Sequence, residues 1–273
     1  MIRFQNVGFE YESGTTALTD VSVEFDNSCL TSVVGPNGCG KSTMARLMMG
    51  LLLPCTGSVQ VDGYDTRSAP AHQIRSLVGL AWQNPDNQLV CGVVEDDIAF
   101  GPENLGLRIS EVNRRVDEVI ERLALNDVRS LSIHTLSSAQ KQVVAVAGAM
   151  AIEPRYLILD EVTSRLDPVA AHVLLNAVAE WARDHQVGVI MITHLMAEVL
   201  RSDSVCRFAR SPEGGGRIAV TGSPDAILRE AMNSDEVVLE TPLYDMLFRL
   251  GELGVRLDRM PETVAGLVDQ LCP

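Results

Sequence analysis

The segment GPNGCGKS, residues 35–42, constrains the fold of this chain more than any other. It fits the pattern G-x-x-x-x-G-K-[S/T] and lies between a predicted strand over residues 30–34 and a predicted apolar helix that runs to about residue 52. Glycines let such a loop wrap around phosphates, and the helix start offers unpaired N–H groups and the positive end of the helix dipole. The sequence therefore predicts a phosphate-binding loop at a strand-to-helix turn.

Lysine usage supports this interpretation, because Lys41 and Lys141 are the only lysines in the chain and Lys41 stands at the lysine position of the pattern. We expect Lys41 to neutralise phosphate oxygens and Ser42 to hold Mg²⁺. The alternative is a plain turn before a helix. Cys39 lies close to Lys41 at a helix start, where a thiol pKa is lowered, and we hypothesise that it is reactive. The alternative is that Cys39 is a small space-filling residue.

A second acidic motif, YLILDE, spans residues 156–161. A continuous apolar run of this kind is typical of a central parallel strand, and it would deliver Asp160 to the carboxyl end of the sheet. There Asp160 can bind Mg²⁺ through water, and Glu161 can polarise an attacking water. An acidic pair in a turn is the alternative, and the phosphate-binding loop decides against it.

Three more side chains are predicted to reach the same site. Gln83 follows a predicted strand over residues 77–82 and could reach Mg²⁺ or the lytic water. His194 follows a predicted strand over residues 187–193 and could contact the γ-phosphate, while Tyr11 could stack on adenine. Each of them alone is an ordinary loop amide, strand-end histidine or core aromatic residue, so their weight comes from the phosphate loop.

The remaining patterns predict an α/β fold, because strands alternate with helices. Short strands open the chain, a hairpin is marked by Pro54, Gly57 and Gly63, and Ser110 is expected to cap a helix. The composition of the sequence changes after Arg210, and we place a small C-terminal extension from about residue 222, with a helix starting at Ser223-Pro224. The other predicted strands cover residues 2–9, 21–25 and 156–159, and the other predicted helices cover residues 138–152 and 168–185; leucines recur at positions 243, 247 and 250.

Composition excludes several classes of protein. The formal charge of −14 disfavours nonspecific binding to nucleic acid or anionic lipid, which requires the opposite sign. No apolar run approaches the roughly 20 residues of a membrane helix, and the first residues do not resemble a secretory signal. Six cysteines without a CxxC pair indicate a reducing cytoplasm and no structural metal.

Taken in order, these motifs resemble those of the ATP-binding cassette (ABC) ATPases over about residues 1–220. The family's motifs match an aromatic residue (Tyr11), Walker A (35–42), the Q-loop (Gln83), a signature LSSAQ (136–140), Walker B (157–160 with Glu161), the D-loop (164–167) and the switch histidine (His194). The resemblance implies a P-loop NTPase core with a mixed sheet, a RecA-like lobe, a small antiparallel β subdomain and a helical signature subdomain. It places the ATPase domain at 1–221, the helical subdomain at about 84–150, and the C-terminal extension at 222–273.

The resemblance also implies roles for individual residues, with ATP and Mg²⁺ as the cofactors. Catalytic roles fall on Lys41, Gln83, Glu161 and His194, and Mg²⁺ ligation falls on Ser42, Gln83 and Asp160. The family pairs two ATPase subunits, so the signature residues act on the ATP of the partner, and Asp167 belongs to the D-loop. The implied ATP-binding residues are Tyr11, Gly35, Pro36, Asn37, Gly38, Cys39, Gly40, Lys41, Ser42 and Thr43, and the implied signature residues are Ser137, Ser138, Ala139 and Gln140.

A narrower resemblance lies in residues 81–107, which are similar to the ATPase subunits of energy-coupling-factor (ECF) importers of cobalt, biotin and other vitamins. It implies an integral membrane coupling subunit, a substrate-binding membrane subunit and a peripheral location at the cytoplasmic face of the membrane. Asp86, Glu95, Asp96 and Asp97 would form an acidic rim suited to arginines on a coupling helix. From charge alone, the alternative is a solvated acidic loop.

The signature departs from the family's usual LSGGQ, because Ser138 and Ala139 replace two glycines. Ser137 and Gln140 still form a capping box, so a helix is expected, but two added side chains hinder close backbone approach to a phosphate. A weak signature harms the partner's ATP rather than this chain's own. We therefore hypothesise a heterodimer in which this chain's Walker A site is the more active one, with a homodimer left open.

Two other functions stay open at this stage. One is an ABC ATPase that acts on nucleic acid or ribosomes, although the short stretch between Lys41 and Leu136 lacks the coiled-coil or zinc insertion common there. The other is a weakly active regulatory nucleotide-binding subunit, which the LSSAQ signature favours and the intact Lys41, Glu161 and His194 oppose.

Overall fold

The strands of this chain form one ten-stranded mixed sheet in the computed structural model. The structure describes residues 1–227 together with residues 246, 249, 250, 261, 267, 268 and 270. In spatial order the strands are β5 (Tyr64–Asp65), β4 (Thr56–Val61), β1 (Ile2–Glu10), β2 (Thr16–Phe25), β10 (Gly216–Gly222), β9 (Ser204–Arg210), β3 (Leu30–Val34), β8 (Gly188–Ile192), β7 (Tyr156–Asp160) and β6 (Val78–Ala81).

The sheet divides into a parallel half and an antiparallel half. Strands β9, β3, β8, β7 and β6 run parallel, whereas β2, β1, β4 and β5 pair antiparallel. Every residue of β6, β7 and β8 is buried, which is why these strands appear in the sequence as continuous apolar runs. The two halves meet where β10 pairs with β2 at Gly216 and Leu18.

Seven α-helices pack on this sheet or on one another within residues 1–227. Helices α3, α4 and α5 all lie between β6 and β7 in the chain and pack together as a helical region. The helices are α1 (Lys41–Met48), α2 (Ala71–Leu77), α3 (Val94–Asn104), α4 (Ile109–Arg122), α5 (Ser138–Ala151), α6 (Pro168–His185) and α7 (Met196–Val199).

Two apolar clusters form the core on opposite faces of the parallel half. Successive residues of a strand point to opposite faces, so Leu157 and Leu159 join a cluster with the helical region and α6, while Tyr156 and Ile158 join a cluster with α1 and the antiparallel strands. The helical region is therefore tied to the central sheet through one continuous core.

The helix ends differ from the sequence prediction in two places. Helix α1 ends at Met48, because Gly50 follows with a positive φ of 63°. Helix α4 begins two residues earlier than expected and has Arg108 at its N-cap, so Ser110 does not cap it. In contrast, Asp167 caps α6 as predicted, through bonds from the backbone N–H groups of Val169 and Ala170.

The C-terminal part is described only in fragments. Strand β10 reaches Gly222, and a helical turn begins at Pro224, with the backbone N–H of Ile227 bonded to the carbonyl of Ser223. Leu243 and Leu247 lie outside the described residues. None of the helices in the described ranges has the length and apolar character of a membrane span.

Candidate active site

The candidate residues converge at one edge of the sheet. The phosphate-binding loop follows β3, Asp160 ends β7, Glu161 follows it, His194 comes soon after β8, and Gln83 follows β6. Carboxyl ends of parallel strands meet at the same edge, which is where α/β proteins bind their ligands. The parallel register of these four strands therefore collects residues that are far apart in sequence.

The phosphate-binding loop has the backbone that its sequence predicts. Helix α1 starts at Lys41 without a side-chain cap or an acidic residue in its first turn, so its first N–H groups are available to an anion. Lys41 is 6% exposed, and its Nζ donates to the carbonyls of Gly35 (2.8 Å) and Pro36 (3.0 Å). The ammonium group is thus folded over the loop that would hold the phosphates.

The hypothesis of a reactive Cys39 is wrong. Its side chain is fully buried, and burial raises the pKa of the Cys39 thiol more than the nearby Lys41 ammonium lowers it. The Lys41 Nζ lies 4.0 Å from the Cys39 Sγ, so the ammonium group is close to the thiol, but the thiol is shielded from solvent. Cys39 fills space beneath the loop, as the alternative interpretation held.

Ser42 and Asp160 form a pair of oxygen ligands. The Ser42 hydroxyl donates to Asp160 Oδ1 at 3.2 Å, and Asp160 is only 3% exposed. Burial raises the pKa of Asp160, and the bond from Ser42 opposes that rise. Oxygen ligands are the ones that Mg²⁺ prefers, and Asp160 is a buried carboxylate that no lysine or arginine among the described residues contacts through a hydrogen bond. The donor set of this structure therefore suits Mg²⁺.

Glu161 is the centre of a three-residue cluster. His194 Nε2 and Gln83 Nε2 lie 2.5 Å from its two carboxylate oxygens. The hydrogen bond to His194 lowers the pKa of Glu161 below its usual value. Glu161 also has a positive φ of 51°, which is uncommon for a residue with a side chain and is found at functional sites. The structure thus brings together three residues that the sequence could only place at separate strand ends.

Tyr11 is held against helix α1. Its hydroxyl lies 2.8 Å from Thr43 Oγ1 and accepts a hydrogen bond from Arg46 at 3.2 Å. The Arg46 guanidinium also lies over the Trp82 ring, 5.3 Å from its centroid. Sequence reasoning missed Arg46, although its position four residues after Ser42 on a helix places it on the side of α1 that carries Ser42.

The segment 82–88 is fastened to helix α5. Gln142, which is fully buried, donates to the carbonyl of Trp82 at 2.9 Å, and Gln88 bridges the Trp82 N–H (3.1 Å) and the Ala145 carbonyl (2.7 Å). An ion pair of 2.7 Å joins Lys141 to Asp86. The second lysine of the chain thus ties α5 to the loop that carries Gln83, a contact between elements that sequence spacing alone did not reveal.

The signature turn lies on the surface at the start of α5. Ser137 accepts from the N–H of Gln140 at 3.2 Å, and the Gln140 side chain accepts from the N–H of Ser137 at 3.0 Å. Both bonds of the predicted capping box are therefore present. Ser137, Ser138 and Gln140 are exposed and Ala139 is half-buried.

The expected acidic rim needs correction. Asp97 is only 8% exposed and accepts from the N–H groups of Val90 (2.7 Å) and Cys91 (2.8 Å), so it stabilises a turn instead of facing a partner. Glu95 is paired with Arg129, and Asp86 is paired with Lys141. Of the four acids, Asp96 is exposed and forms no ion pair within the described residues.

The site combines a phosphate-binding loop, an acidic strand end and a histidine on adjacent parallel strands. The helical region adds the capped signature turn at the start of α5. Together these features define an ATPase of the ABC class. Residues 18–164 match the ABC transporter family. The chain is 34% identical to the energy-coupling factor transporter ATP-binding protein EcfA1 of Caldanaerobacter subterraneus over the whole of this chain and 99% of that protein. It is 41% identical to EcfA1 of Symbiobacterium thermophilum over 94% of this chain and 88% of that protein.

A solved structure of cbiO1 from Clostridium perfringens, described as part of the ABC transporter complex cbiONQ, superposes with a TM-score of 0.73 at 29% identity over 93% of this chain and 96% of that one. The chain belongs to the ABC transporter family, in its branch of energy-coupling factor transporter ATP-binding proteins. It is accordingly an ATP-binding and ATP-hydrolysing subunit of an ECF importer.

Proposed function

We propose that this chain hydrolyses Mg²⁺-bound ATP at the edge of the sheet and thereby energises uptake of a vitamin or a metal ion. The observation that carries the proposal is the cluster in which Gln83 and His194 both contact the Glu161 carboxylate beside the Ser42–Asp160 pair. The catalytic side chains, the metal ligands and the phosphate-binding loop therefore lie together at one edge of the sheet.

Each group has a role that its surroundings support. Lys41 and the N–H groups of α1 bind the phosphates, with the loop 35–40 wrapped around them. Ser42, Asp160 and Gln83 would hold Mg²⁺, which supplies positive charge to the developing oxyanions. Tyr11 offers a ring to the adenine base, and its hydroxyl contact with Thr43 sets the orientation of that ring.

Glu161 is suited to polarise a water molecule. Because its pKa is lowered by the His194 bond, the carboxylate is ionised at neutral pH and can accept hydrogen bonds from water. His194 has one ring nitrogen on Glu161, which fixes the imidazole for a contact with a phosphate oxygen. Gln83 donates to the other carboxylate oxygen of Glu161. If Gln83 is to bind Mg²⁺ and Glu161 is to bind water, this hydrogen bond must break.

We further propose that a second ABC ATPase subunit completes the site. The signature residues Ser137, Ser138, Ala139 and Gln140, of which Ala139 is half-buried and the others are exposed, would face the partner's nucleotide, with Asp167 of the D-loop at the N-cap of α6. Ser138 and Ala139 add side chains where glycines permit close approach. This asymmetry favours a heterodimer in which this chain's own Walker A site is the more active one.

The membrane partners would be a coupling subunit and a substrate-binding subunit, with this chain peripheral at the cytoplasmic face. Asp96 remains a candidate contact for an arginine of the coupling subunit, and Glu95 and Asp86 are two further candidates. Glu95 and Asp86 could bind arginines of the partner only if their existing ion pairs with Arg129 and Lys141 were broken.

The test is ATP hydrolysis by Glu161→Gln in the complex purified from membranes. The variant removes the water-polarising carboxylate but keeps the hydrogen-bonding shape, so we expect ATP to bind and to remain unhydrolysed. Glu180→Gln, an exposed glutamate on α6, is the matched control and should keep the parent rate. Rapid turnover by Glu161→Gln would overturn the role of Glu161, and full activity of the chain without its partners would overturn the heterodimer.

A further inference from the structure

Helix α7 contains a buried acid that none of the roles above uses. Glu198 is 5% exposed, and burial raises the pKa of its carboxyl. A carboxylate is costly to bury unless it is hydrogen-bonded or paired. The surroundings of Glu198 therefore indicate what it holds.

The first contact is with the residue before His194. The Thr193 hydroxyl, itself 2% exposed, donates to Glu198 Oε2 and accepts from the N–H of Leu195 at 3.0 Å. These two bonds lie on either side of His194 in the chain. Glu198 thus anchors the backbone on which the imidazole is carried.

The second contact is with the segment that carries Glu161. The Thr163 hydroxyl, two residues after Glu161 and 5% exposed, lies close enough to Glu198 to lower the pKa of its carboxyl. One carboxylate therefore lies beside both chain segments whose side chains, Glu161 and His194, meet at 2.5 Å. A shift of either segment would therefore separate Glu161 from His194.

Within the part of the chain that the structure describes, no lysine or arginine forms a hydrogen bond or ion pair with Glu198, although Arg201 and His194 act on it electrostatically. Arg201 bonds instead to Asn176 and His172. The Thr193 hydroxyl is thus the hydrogen-bond donor to Glu198, with the Thr163 hydroxyl nearby, and Glu198 Oε1 has no hydrogen-bond partner among the described residues. A group held this way is sensitive to the loss of either hydroxyl.

We propose that Glu198 is a positioning residue that, through Thr193 and Thr163, holds His194 in register with Glu161 for ATP hydrolysis. The inference rests on the proposed roles of Glu161 and His194. Among the described residues, Glu198 forms no hydrogen bond or ion pair with the nucleotide-binding loop or with the predicted metal ligands.

The first experiment compares kcat and KM for ATP in the purified complex. Glu198→Ala removes the acceptor and should lower kcat by about ten- to a hundredfold, as a displaced catalytic group does, with KM changed by no more than about threefold. Glu198→Gln keeps an acceptor oxygen for Thr193 and should restore most of the rate. Glu180→Ala, an exposed glutamate on α6, is the control.

A second pair of variants guards against misfolding of Glu198→Ala. Thr193→Val deletes the hydroxyl with little change of shape and should reproduce the loss of kcat, whereas Thr193→Ser keeps the hydroxyl and should retain activity. In the isolated chain, ¹⁵N signals of the histidine side chains provide a readout independent of hydrolysis. The His194 signal should shift in Glu198→Ala and Thr193→Val but not in Glu198→Gln or Glu180→Ala.

The inference is overturned if Thr193→Val keeps the parent kcat and the parent His194 signal, or if Glu198→Gln is as inactive as Glu198→Ala. Its failure is distinguishable from failure of the proposed function. If Glu161→Gln hydrolyses ATP normally, the proposed role of Glu161 fails; if Glu161→Gln is inactive while the Glu198 and Thr193 variants are normal, only the positioning role fails.

Discussion

At the residue scale, glycines of the phosphate-binding loop differ in what they tolerate. Gly40 has a φ of +89°, and a Cβ there would lie 2.4 Å from the Ala17 carbonyl oxygen and 2.6 Å from Leu18 Cδ2. Gly38 has a similar φ of +76°, but a Cβ there would meet nothing within 4 Å. The sequence pattern requires glycine at position 40 and allows any residue at position 38, and the packing of β2 against the loop gives the physical reason for this difference.

We therefore predict that Gly40→Ala disrupts the loop and abolishes ATP binding. Gly38→Ala has only the backbone strain of a left-handed residue, about 1–2 kcal/mol, and should bind ATP with modest loss. Equilibrium titration with a fluorescent ATP analogue and urea unfolding measure both effects. Equal loss of affinity in the two variants would show that crowding by Ala17 is not the cause.

The residue scale also shows why Cys39 and Asp97 were interpreted wrongly. Both were assigned from their neighbours in sequence, which supply charge, whereas burial comes from residues distant in the chain. Cys39 is enclosed by the packed loop and has a raised pKa, and Asp97 turns inward to two backbone N–H groups. Local sequence identifies the residue type but not its exposure.

At the element scale, helix α5 combines two roles. Its start carries the capped signature turn, and its second turn holds the Q-loop segment through Gln142 and Lys141. Since β6 ends at Ala81, the Trp82 carbonyl has no strand partner and receives the Gln142 amide instead. A movement of α5 would therefore be passed to Gln83.

We predict that Gln142→Leu destabilises the chain by about 1–3 kcal/mol, because it leaves the Trp82 carbonyl without its hydrogen bond in a buried setting. Lys141→Met, the adjacent residue of the same helix, removes an exposed ion pair and should lose less stability, with a difference that fades in high salt. Urea unfolding at low and high salt measures both. A larger loss for Lys141→Met would contradict this account.

At the scale of the whole molecule, the helical region and the sheet share one apolar cluster. Ile98 of α3 and Trp181 of α6 are both fully buried and belong to the same cluster as Leu157 of β7. No separate core for the helical region is evident in the described residues. The two parts should therefore unfold together, even though the phosphate site lies on one of them and the signature turn on the other.

We predict that Ile98→Ala lowers the free energy of unfolding by about 2–5 kcal/mol. In a Trp82→Phe background, the fluorescence of Trp181 should report the same transition as far-ultraviolet circular dichroism. Ile109→Ala, whose side chain is 79% exposed, is the control and should change stability by less than about 0.5 kcal/mol. Separate transitions for the two probes would show that the helical region unfolds on its own.

The sequence by itself determined the features that depend on neighbours in the chain. These include the phosphate-binding loop before α1, the caps of α5 and α6, and the buried runs of β7 and β8 that end at Asp160 and shortly before His194. Loop, cap and strand signals are local, so residue order is enough to predict them. The order of motifs also predicted the family.

Only the tertiary structure decided which side chains meet. The contact of Glu161 with Gln83 and His194 and the bonds from α5 to Trp82 join segments that the tertiary fold brings together. Burial was decided in the same way, because it is set by the packing of distant elements. For that reason Cys39 is a buried thiol with a raised pKa and Asp97 stabilises a turn, whereas the residue types alone allowed a reactive group and a docking surface.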